Sequence, residues 1–566
     1  MRILLLTHSF NSLAQKLYTV LEDLGHDISV EFDIHDSVTI EAVNLFKPDI
    51  IIAPYLRRKI PKEITAKVLC WIIHPGPPGD RGPSALDWAI LNGETNWGVT
   101  IIEATDEYDA GPVWVTKSFA MREASKSSIY GREVSTAAVY CVIEALDQYE
   151  TYGRINEPLN KGKFRPKILQ DDRKIIWKTD STKTILRKIR SADGSPGVLD
   201  DINGIPFFLY DAENAVDLSG NPGEILGINS EAVCKATADG AVWIKHLRPP
   251  NNDEGRGIKL PAKQWLKFFG IRLTKLEQSP SPEIYFESKD GIGIFHFPFY
   301  NGAMSTDQCK KLQTEIISQK KGKENIWVLA GGPDYWSNGI HLGQIEQAES
   351  PADESMRNIE AMNDLVHTIV NCTDKFIIAA IRANAAAGGV FLALSADRII
   401  ANDSIVLNPH YRNMGNLYGS EYWTYLLPKR LSKKHSKKLM QRRLPIRAGR
   451  AKNIGLIDEV FPVNGSNSLE VIYEYALYLN QKVNFSQYSK DKAKMLGLDS
   501  EKKSLESYRT EEMEKMKLNF YGFDPSYHVS RYNFIRKRLV SWTPLYLAKH
   551  RTLEKNISSF NQTERQ

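Results

Sequence analysis

This sequence has few cysteines, and its cysteines and histidines form no cluster that would bind a metal ion or build a disulfide framework. The 566 residues include only five cysteines, which lie far apart and form no C-x-x-C pair: Cys70, Cys141, Cys234, Cys309 and Cys372. The twelve histidines form no H-x-x-x-H pair or comparable cluster. We therefore expect reduced thiols in the core and no metal site.

Long apolar runs and strongly one-sided composition are also missing. The longest weakly polar run, residues 383–396, is too short and too broken by glycine to span a bilayer. The opening residues, MRILLLTHSF, are typical of a buried first strand and not of a signal peptide. The net charge is only +5, and no basic stripe with interleaved aromatic residues is present. We expect a cytoplasmic protein that binds neither nucleic acid nor membrane.

The length and the hydrophobic pattern predict a multidomain α/β protein. Strand-like and helix-like segments alternate from RILLLT to VLCWIIH, and this rhythm predicts a parallel sheet with helices on both faces. Ligands of such sheets bind at the carboxyl ends of the strands. The first strand–helix turn, THSFNS, lacks both G-x-G-x-x-G and a P-loop lysine, so neither a dinucleotide nor a nucleoside triphosphate is expected there.

Changes of composition divide the chain into three predicted domains. Residues 1–160 contain the parallel-sheet pattern, and a polar linker at 151–165 spans the boundary to the next domain. Residues 161–275 contain one helical segment followed by short strands, which indicate a small β-barrel. Residues 276–566 continue as an α/β series, with a charge-rich helical tail from about residue 490.

A candidate catalytic loop lies at residues 74–90, which read HPGPPGDRGPSALDWAI. The crowded prolines and glycines exclude a regular helix or central strand, so they hold His74 rigidly at a strand end. Asp109 follows the strand-like GVTIIEA in a D-A-G-P turn. A histidine and an aspartate on adjacent strand ends can divide proton transfer and oxyanion stabilisation in acyl transfer. The alternative is a capping aspartate beside a histidine at the edge of the core.

The run WIIHPGPPGDRGPSALDWAILNGETNWGVTIIEATDEYDAGPV resembles the folate-dependent formyltransferases. This resemblance implies 10-formyl-tetrahydrofolate as formyl donor, with His74 and Asp109 as the catalytic residues. Ile72 departs from the pattern, because it stands where that family has an asparagine that helps to bind the formyl oxygen. The segment TKTILRKIRSADGSPGVLDDINGIPFFLYDAE resembles the C-terminal domain of methionyl-tRNA formyltransferases. Together the two resemblances cover about 270 residues.

Three later segments, YNGAMSTDQCKKL, YWSNGIHL and AAIRANAAAGGVFLALSADRIIA, resemble the enoyl-CoA hydratase (crotonase) family. The resemblance implies a coenzyme A thioester whose oxygen lies between two backbone N–H groups. These belong to Ile340, after Gly339, and to Gly388, beside Gly389. Glycine lets the backbone approach a ligand closely. The alternative is that Gly388 and Gly389 only form a tight strand–helix turn.

The acid/base glutamates of the hydratases are absent from the matching positions. Phe391 stands at the first, and NPHYRNMG covers the second, which leaves His410 or Tyr411 there. Hydration of an alkene is therefore not expected. Glu421 lies within the aromatic run NLYGSEYWTYLLPKR, and a carboxylate isolated among aromatic groups is a candidate for a raised pKa and for proton transfer. The alternative is a hydrogen-bonded glutamate that caps a helix.

The combination of the two families resembles a family of maturation factors for NiFe-hydrogenases, over nearly the whole chain. It implies synthesis of the carbon monoxide ligand of the hydrogenase iron. We expect formyl transfer from 10-formyl-tetrahydrofolate to coenzyme A at His74 and Asp109, with Ile72 reflecting a thiol acceptor. Decarbonylation of formyl-CoA by Tyr411 and Glu421 would follow.

Two other functions agree with the same residues. One is a hydrolase that releases formate from 10-formyl-tetrahydrofolate, and the other is a non-catalytic scaffold for hydrogenase maturation. Retention of His74 and Asp109 counts against a pure scaffold. The expected partners are tetrahydrofolate, coenzyme A and either other hydrogenase maturation proteins or the precursor of the hydrogenase large subunit.

Overall fold

The computed structural model describes residues 1–154, 160–253, 255–462 and 468–552, and it divides into two compact units. Unit 1 contains Met1–Pro280 together with the chain from Leu539, and unit 2 contains Ser281–Arg538. None of the helices in the described ranges combines the length and apolarity needed to cross a bilayer.

The first sheet of unit 1 has the strand order β2-β1-β3-β4-β6-β7. Its strands are β1 Arg2–Thr7, β2 Asp27–Phe32, β3 Ile50–Tyr55, β4 Leu69–His74, β6 Asn96–Glu103 and β7 Val113–Ala120, and a separate short pair joins β5 Asp80–Arg81 to β8 Lys163–Phe164. Strands β1 to β4 are parallel, which confirms the predicted parallel sheet, while β6 and β7 extend it antiparallel.

Six α-helices accompany this sheet: α1 Ser12–Asp23, α2 Asp36–Phe46, α3 Lys62–Thr65, α4 Ala85–Asn92, α5 Lys126–Ile129 and α6 Ser135–Tyr152. Apolar residues of α1 recur at helical spacing, and Asn11 caps its first turn by accepting from the N–H of Ala14. The helices and β4 place the loop 75–84 at the carboxyl end of the sheet, where the sequence predicts a site.

The predicted small β-barrel is wrong, because the described strands form an open sheet in the order β11-β12-β13-β10-β9, with β14 paired to β13. The elements are α7 Thr182–Ala192, β9 Val198–Ile202, β10 Ile205–Asn214, β11 Ile225–Asn229, β12 Ala232–Ala236, β13 Ala241–Arg248, β14 Leu260–Pro261 and α8 Ala262–Phe268. The outer edge of β11 bonds instead to a later segment, since the N–H of Ile228 donates to Thr274 and the N–H of Leu276 donates to Ile228. That segment occupies the edge that closure to β9 would require.

Unit 2 is built on a six-stranded sheet in the order β15-β16-β17-β18-β20-β23, parallel except for β15, with a small second sheet β19-β21-β22. The strands are β15 Tyr285–Lys289, β16 Ile292–His296, β17 Ile326–Gly331, β18 Phe376–Ile381, β19 Ala385–Ala386, β20 Arg398–Asn402, β21 Val406–Asn408, β22 Ile446–Arg447 and β23 Glu459–Phe461. The helices are α9 Thr306–Ser318, α10 Leu342–Gln347, α11 Pro351–Val370, α12 Gly388–Leu394, α13 Trp423–Arg430, α14 Lys433–Arg442, α15 Ala448–Asn453, α16 Ser468–Lys482, α17 Phe485–Lys502, α18 Leu505–Tyr521 and α19 Ser526–Ile535.

The chain from Leu539 is grouped with unit 1, whereas the composition predicts that it belongs to a third domain, residues 276–566. It covers the free edge of β2, where the N–H of Val30 donates to the carbonyl of Leu547. His550 is fully buried there and hydrogen-bonds both Ser29 and Glu31, at 2.7 and 2.8 Å. These polar bonds follow from burial, since an unpaired edge strand or carboxylate is unfavourable away from water. Residues 553–566 of the predicted tail, and 155–159 of the predicted linker, lie outside the described residues.

The five cysteines are all buried and free. Within the described ranges, no group of three or more His, Cys, Asp and Glu side chains is arranged to hold a metal ion.

Candidate active sites

His74 ends β4 and is almost completely buried. The loop that covers it has room only for glycine at position 76. A Cβ on Gly76 would lie 2.5 Å from Nε2 of His74. The loop is fixed from β6, because Trp97 donates to the carbonyl of Pro75 at 2.7 Å and Thr100 donates to that of Gly76 at 2.8 Å. The imidazole therefore has one orientation.

The imidazole of His74 lies between two carboxylates. Nε2 is hydrogen-bonded to Oδ2 of Asp80 at 2.9 Å, and Nδ1 lies 3.6 Å from Oδ2 of Asp109. Asp80 in turn pairs with Nε of Arg165 at 3.0 Å. The structure thus brings together the two residues that the sequence predicts, and it adds Asp80, which the sequence analysis missed although it lies six residues after His74. Its signal was the acid that ends HPGPPGD.

Asp109 is held in a left-handed conformation, with φ +53°, by contacts from two sides. Its Oδ2 accepts from the N–H of Gly82 at 2.9 Å, and its carbonyl accepts from the amide of Asn160 at 2.7 Å. The same Asn160 side chain accepts from the N–H of Gly79 at 2.6 Å. Asn160 therefore connects the histidine loop to the aspartate turn. It lies in the segment that the sequence analysis interpreted as a linker, where no local pattern marks it.

Ile72 lies two residues before His74 on β4 and shares its face of the sheet. It is partly buried and packs against the apolar cluster around Leu4, Leu6 and Ile51. An apolar side chain therefore stands on this face of β4, and it offers no amide to a ligand beside His74.

The two predicted N–H donors of unit 2 lie on adjacent backbone segments. Gly339 has φ +79°, and a Cβ there would lie 3.2 Å from the backbone nitrogen of Gly388. Gly388 is the first residue of α12, so its N–H has no acceptor within the helix. The turn before it is fixed by Ala387, whose N–H donates to the carbonyl of Asn408. Ile340 follows Gly339 directly and pairs with Met304 in a β-bridge.

Gly389 has a packing reason of its own. A Cβ at this position would lie 2.1 Å from the carbonyl oxygen of Ser337, and the carbonyl of Gly389 accepts from the indole N–H of Trp336 at 2.8 Å. The contact with the Ser337 carbonyl alone requires glycine at position 389.

Tyr411 and Glu421 meet directly beside Gly388. The Tyr411 hydroxyl donates to Oε2 of Glu421 at 2.5 Å, and the N–H of Ser420 donates to the same oxygen at 3.2 Å. The other oxygen, Oε1, lies so close to Gly388 that a Cβ there would be 2.2 Å away. Three residues that the sequence predicts for one site are thus in one place, and Oε1 is turned toward the start of α12.

Burial determines the ionisation of this pair. Burial and the nearby charge of Glu512 raise the pKa of the Glu421 carboxyl, and the hydrogen bond from Tyr411 lowers it. The resulting pKa is about 7. Burial and the Glu421 charge together raise the pKa of Tyr411 well above its ordinary value. The tyrosine is therefore a neutral hydroxyl donor. The pKa of the carboxyl lies near neutral pH, which is the range in which a general base works best.

His410 is not part of this pair. Both of its ring nitrogens are buried and have no hydrogen-bond partner among the residues that the structure describes. Burial and the charge of Arg443 lower its pKa to about 4. Phe391 stacks on the Tyr411 ring, with centroids 5.3 Å apart and planes 13° apart. Of the two residues that the sequence left open, Tyr411 is the one that contacts Glu421.

Glu512 on α18 is a second buried carboxylate near the site, and the sequence analysis missed it. It accepts from the N–H groups of Tyr422 and Thr424 at 3.0 and 2.8 Å, and from the hydroxyl groups of Thr424 and Ser420 at 2.5 and 3.2 Å. Burial raises its pKa to about 7 against these hydrogen bonds. Its sequence context, RTEEMEKMK, has the charge pattern of an exposed helix, so no local signal identifies it.

Comparisons with known proteins match both units. The model of the formyl transferase family matches residues 27–146, that of the formyl transferase C-terminal domain matches 167–268, and that of the enoyl-CoA hydratase/isomerase family matches 309–543. A methionyl-tRNA formyltransferase of Roseiflexus castenholzii is 27% identical over 44% of this chain and 80% of its own length.

Two relatives match almost from end to end. The hydrogenase maturation factor HoxX of Bradyrhizobium diazoefficiens is 46% identical over 97% of both chains. The crystal structure of HypX from Aquifex aeolicus in complex with tetrahydrofolic acid is 47% identical, with a TM-score of 0.91 over 97% of this chain and 99% of that one. With formyltransferase and crotonase-like domains in one polypeptide and this identity over its length, the chain belongs to the HypX/HoxX family of hydrogenase maturation factors.

Proposed function

We propose that this protein makes carbon monoxide in the cytoplasm for the iron of NiFe-hydrogenase, in two steps at two sites. The first site transfers the formyl group of 10-formyl-tetrahydrofolate to the thiol of coenzyme A. The second site divides formyl-CoA into carbon monoxide and coenzyme A. The observation that carries the proposal is the buried Tyr411–Glu421 pair against Gly388, in a fold whose hydratase members have glutamates at other positions.

The first step is supported by the geometry around His74. Asp80 hydrogen-bonds Nε2, so the Nδ1 side of the ring faces Asp109. In this step the thiol sulfur bonds to the formyl carbon, and the C–N bond to the folate breaks. His74 stabilises the oxyanion, while Asp109 orients His74 and relays the thiol proton to the departing folate nitrogen. The HypX relative of Aquifex aeolicus, 47% identical, binds tetrahydrofolic acid, and this supports a folate donor here. Ile72, at the position where the formyltransferases have asparagine, accords with an acceptor other than the usual amine, here a thiol.

The residues of the second site fit a thioester. The N–H groups of Ile340 and Gly388 hold the formyl oxygen, and glycine at 339 and 388 lets these two backbone segments and Oε1 of Glu421 lie close together. Coenzyme A enters this proposal as a substrate whose sulfur carries the formyl group. The position of Oε1 of Glu421 beside Gly388 supports its role as the base.

The proton balance of the second step is complete within these residues. Oε1 of Glu421 takes the formyl proton, and the electron pair of that C–H bond stays on carbon as carbon monoxide forms. The C–S pair leaves with sulfur, which takes the hydroxyl proton of Tyr411. The protonated carboxyl of Glu421 then turns and returns this proton to the Tyr411 oxygen, which lies 2.5 Å from Oε2, so both groups regain their starting forms. The sum is formyl-CoA to carbon monoxide and coenzyme A, with no net oxidation or reduction.

A headspace assay with 10-formyl-tetrahydrofolate labelled in the formyl carbon tests the proposal. With coenzyme A we expect labelled carbon monoxide, which is lost in Asp109→Asn and in Glu421→Gln. Only the second variant should accumulate labelled formyl-CoA. Asp106→Asn, an exposed acid near the first site, is the matched control.

Two results would overturn the proposal. Labelled formate without carbon monoxide, and without need of coenzyme A, would identify a hydrolase. Hydrogenase maturation that survives both Asp109→Asn and Glu421→Gln would identify a scaffold that does not use either site.

A further inference from the structure

Glu512 contacts the turn that carries Glu421 and not the space beside Gly388. Its two carboxylate oxygens accept four hydrogen bonds, all from Ser420, Tyr422 and Thr424. All four partners are donors, so the carboxylate form of Glu512 satisfies them and a protonated form would not. The side chain is 1% exposed, and water cannot replace these bonds.

The turn needs such support because the backbone of two consecutive residues lies in the left-handed region. Glu421 has φ +59° and Tyr422 has φ +56°, which is unfavourable for residues with a Cβ. Asn363 on α11 also supports this turn. Its Oδ1 accepts from the N–H of Glu421 at 2.8 Å and, at 3.0 Å from Ser420 Oγ, shares the single hydroxyl proton of Ser420 with Oε2 of Glu512. Glu512 and Asn363 therefore hold the turn from two helices.

Ser420 lies between the two carboxylates. Its N–H donates to Oε2 of Glu421, and its hydroxyl donates to Oε2 of Glu512, both at 3.2 Å. Two carboxylates this close in a water-free region disfavour each other's charge. Titratable or charged groups on the elements around the pair are Cys309 on α9, Asp364 and His367 on α11, Tyr411 and Tyr418 on the preceding loop, and Arg509 and Glu511 on α18. Arg509 is bonded to Asp364 at 2.6 Å.

We propose that Glu512 is a positioning residue for decarbonylation, which keeps the Ser420–Thr424 turn in the conformation that presents Glu421 to Gly388. Its charge also sets the pH range in which Glu421 accepts a proton. The inference rests on the proposed function of the second site, since it assigns a role within that reaction.

The test supplies formyl-CoA directly and follows carbon monoxide release against pH. In Glu512→Gln the carboxamide cannot satisfy all four donors and carries no charge. We expect the rate to fall by a factor of about ten at most, and the acidic limb of the kcat/KM profile to move about one pH unit lower. Glu512→Asp keeps the charge but shortens the side chain, so we expect a lower rate with the limb unmoved. Glu514→Gln, an exposed acid on the same helix, should behave as the wild type.

Two further measurements keep the outcomes distinct. Formyl transfer to coenzyme A at the first site should be unchanged in all three variants, which shows that unit 1 is folded, and the residual carbon monoxide release shows the same for unit 2. The infrared band of protonated carboxyl groups should lose intensity at a lower pH in Glu512→Gln than in the wild type. A wild-type protein that releases no carbon monoxide from formyl-CoA would overturn the proposed function itself. A wild type that releases it, with Glu512→Gln unchanged in rate and pH limb, would overturn the role of Glu512 alone.

Discussion

The hydroxyl of Tyr411 and the carboxylate of Glu421 are joined by a 2.5 Å hydrogen bond, and each of the two residues is less than one tenth exposed to solvent. The pKa of Tyr411 is raised well above its ordinary value and that of Glu421 to about 7, so near neutral pH the hydroxyl keeps its proton while the carboxyl can take one up. The chemistry that we propose for unit 2 depends on this relationship.

Tyr411→Phe should separate proton donation from substrate binding. The phenyl ring keeps the stacking on Phe391, but the sulfur loses its proton donor. We expect decarbonylation of formyl-CoA to fall about 10²- to 10⁴-fold with little change in KM. Quenched-flow measurement of carbon monoxide release checks this. A variant with wild-type kcat would show that Tyr411 only packs against its neighbours.

The stability of the Glu421 turn should depend on pH. Its carboxyl has a pKa raised from the ordinary value to about 7, so the turn is most stable while the group is protonated and loses stability as the pH rises toward and through 7. Hydrogen–deuterium exchange in residues 411–424, corrected for intrinsic rates, should therefore show easier opening at about pH 8 than at about pH 5. Glu421→Gln should reduce this difference. Equal opening at both pH values in the wild type would contradict the raised pKa.

Asn160→Ala should impair only the first site. The change removes the amide that bonds both Gly79 and Asp109, and lost buried hydrogen bonds of this kind cost about 1–3 kcal/mol. We expect slower formyl transfer to coenzyme A and a lower unfolding temperature, with decarbonylation of supplied formyl-CoA unchanged. If formyl transfer keeps its wild-type rate, the two loops do not need this connection.

Gly76→Ala should displace the His74 imidazole while leaving the histidine itself in the sequence. The added Cβ would lie 2.5 Å from Nε2 of His74 and 2.6 Å from Oδ2 of Asp80, so the hydrogen bond between them must break or shift. We expect loss of most formyl transfer, measured by formation of formyl-CoA. Gly131→Ala is the matched control, because a Cβ there meets no atom within 4 Å. Full activity of Gly76→Ala would mean that the loop moves away freely.

Sequence patterns carry the local part of each site. The spacing of prolines and glycines after His74 predicts a rigid loop at a strand end, and the steric limits behind that prediction operate within a few residues. Gly339 also has a local reason for glycine, its φ of +79°, whereas at Gly388 the atoms that a Cβ would meet belong to the distant Glu421 side chain. Asp80 was also within reach of the sequence, because it closes the same short loop.

Partners that are distant in the chain were out of reach. Glu512 lies about ninety residues beyond Ser420, in a helix whose charges suggest exposure, and Asn160 lies in a segment that reads as a linker. The C-terminal segment from Leu539 returns to β2, and the edge of β11 pairs with residues near Thr274 instead of closing a barrel. No periodicity in the sequence indicates which free edge a segment will cover.

The sequence by itself determined the succession of folds, the His74 loop, the glycine turns and the residue types available for proton transfer. Only the tertiary structure decided that Tyr411 and not His410 meets Glu421, and that Glu512 holds their turn. The physical reason is that backbone sterics and hydrophobic periodicity act over a few residues. Hydrogen bonding in a water-free interior instead requires each polar group to find whatever partner the packed helices bring within about 3 Å.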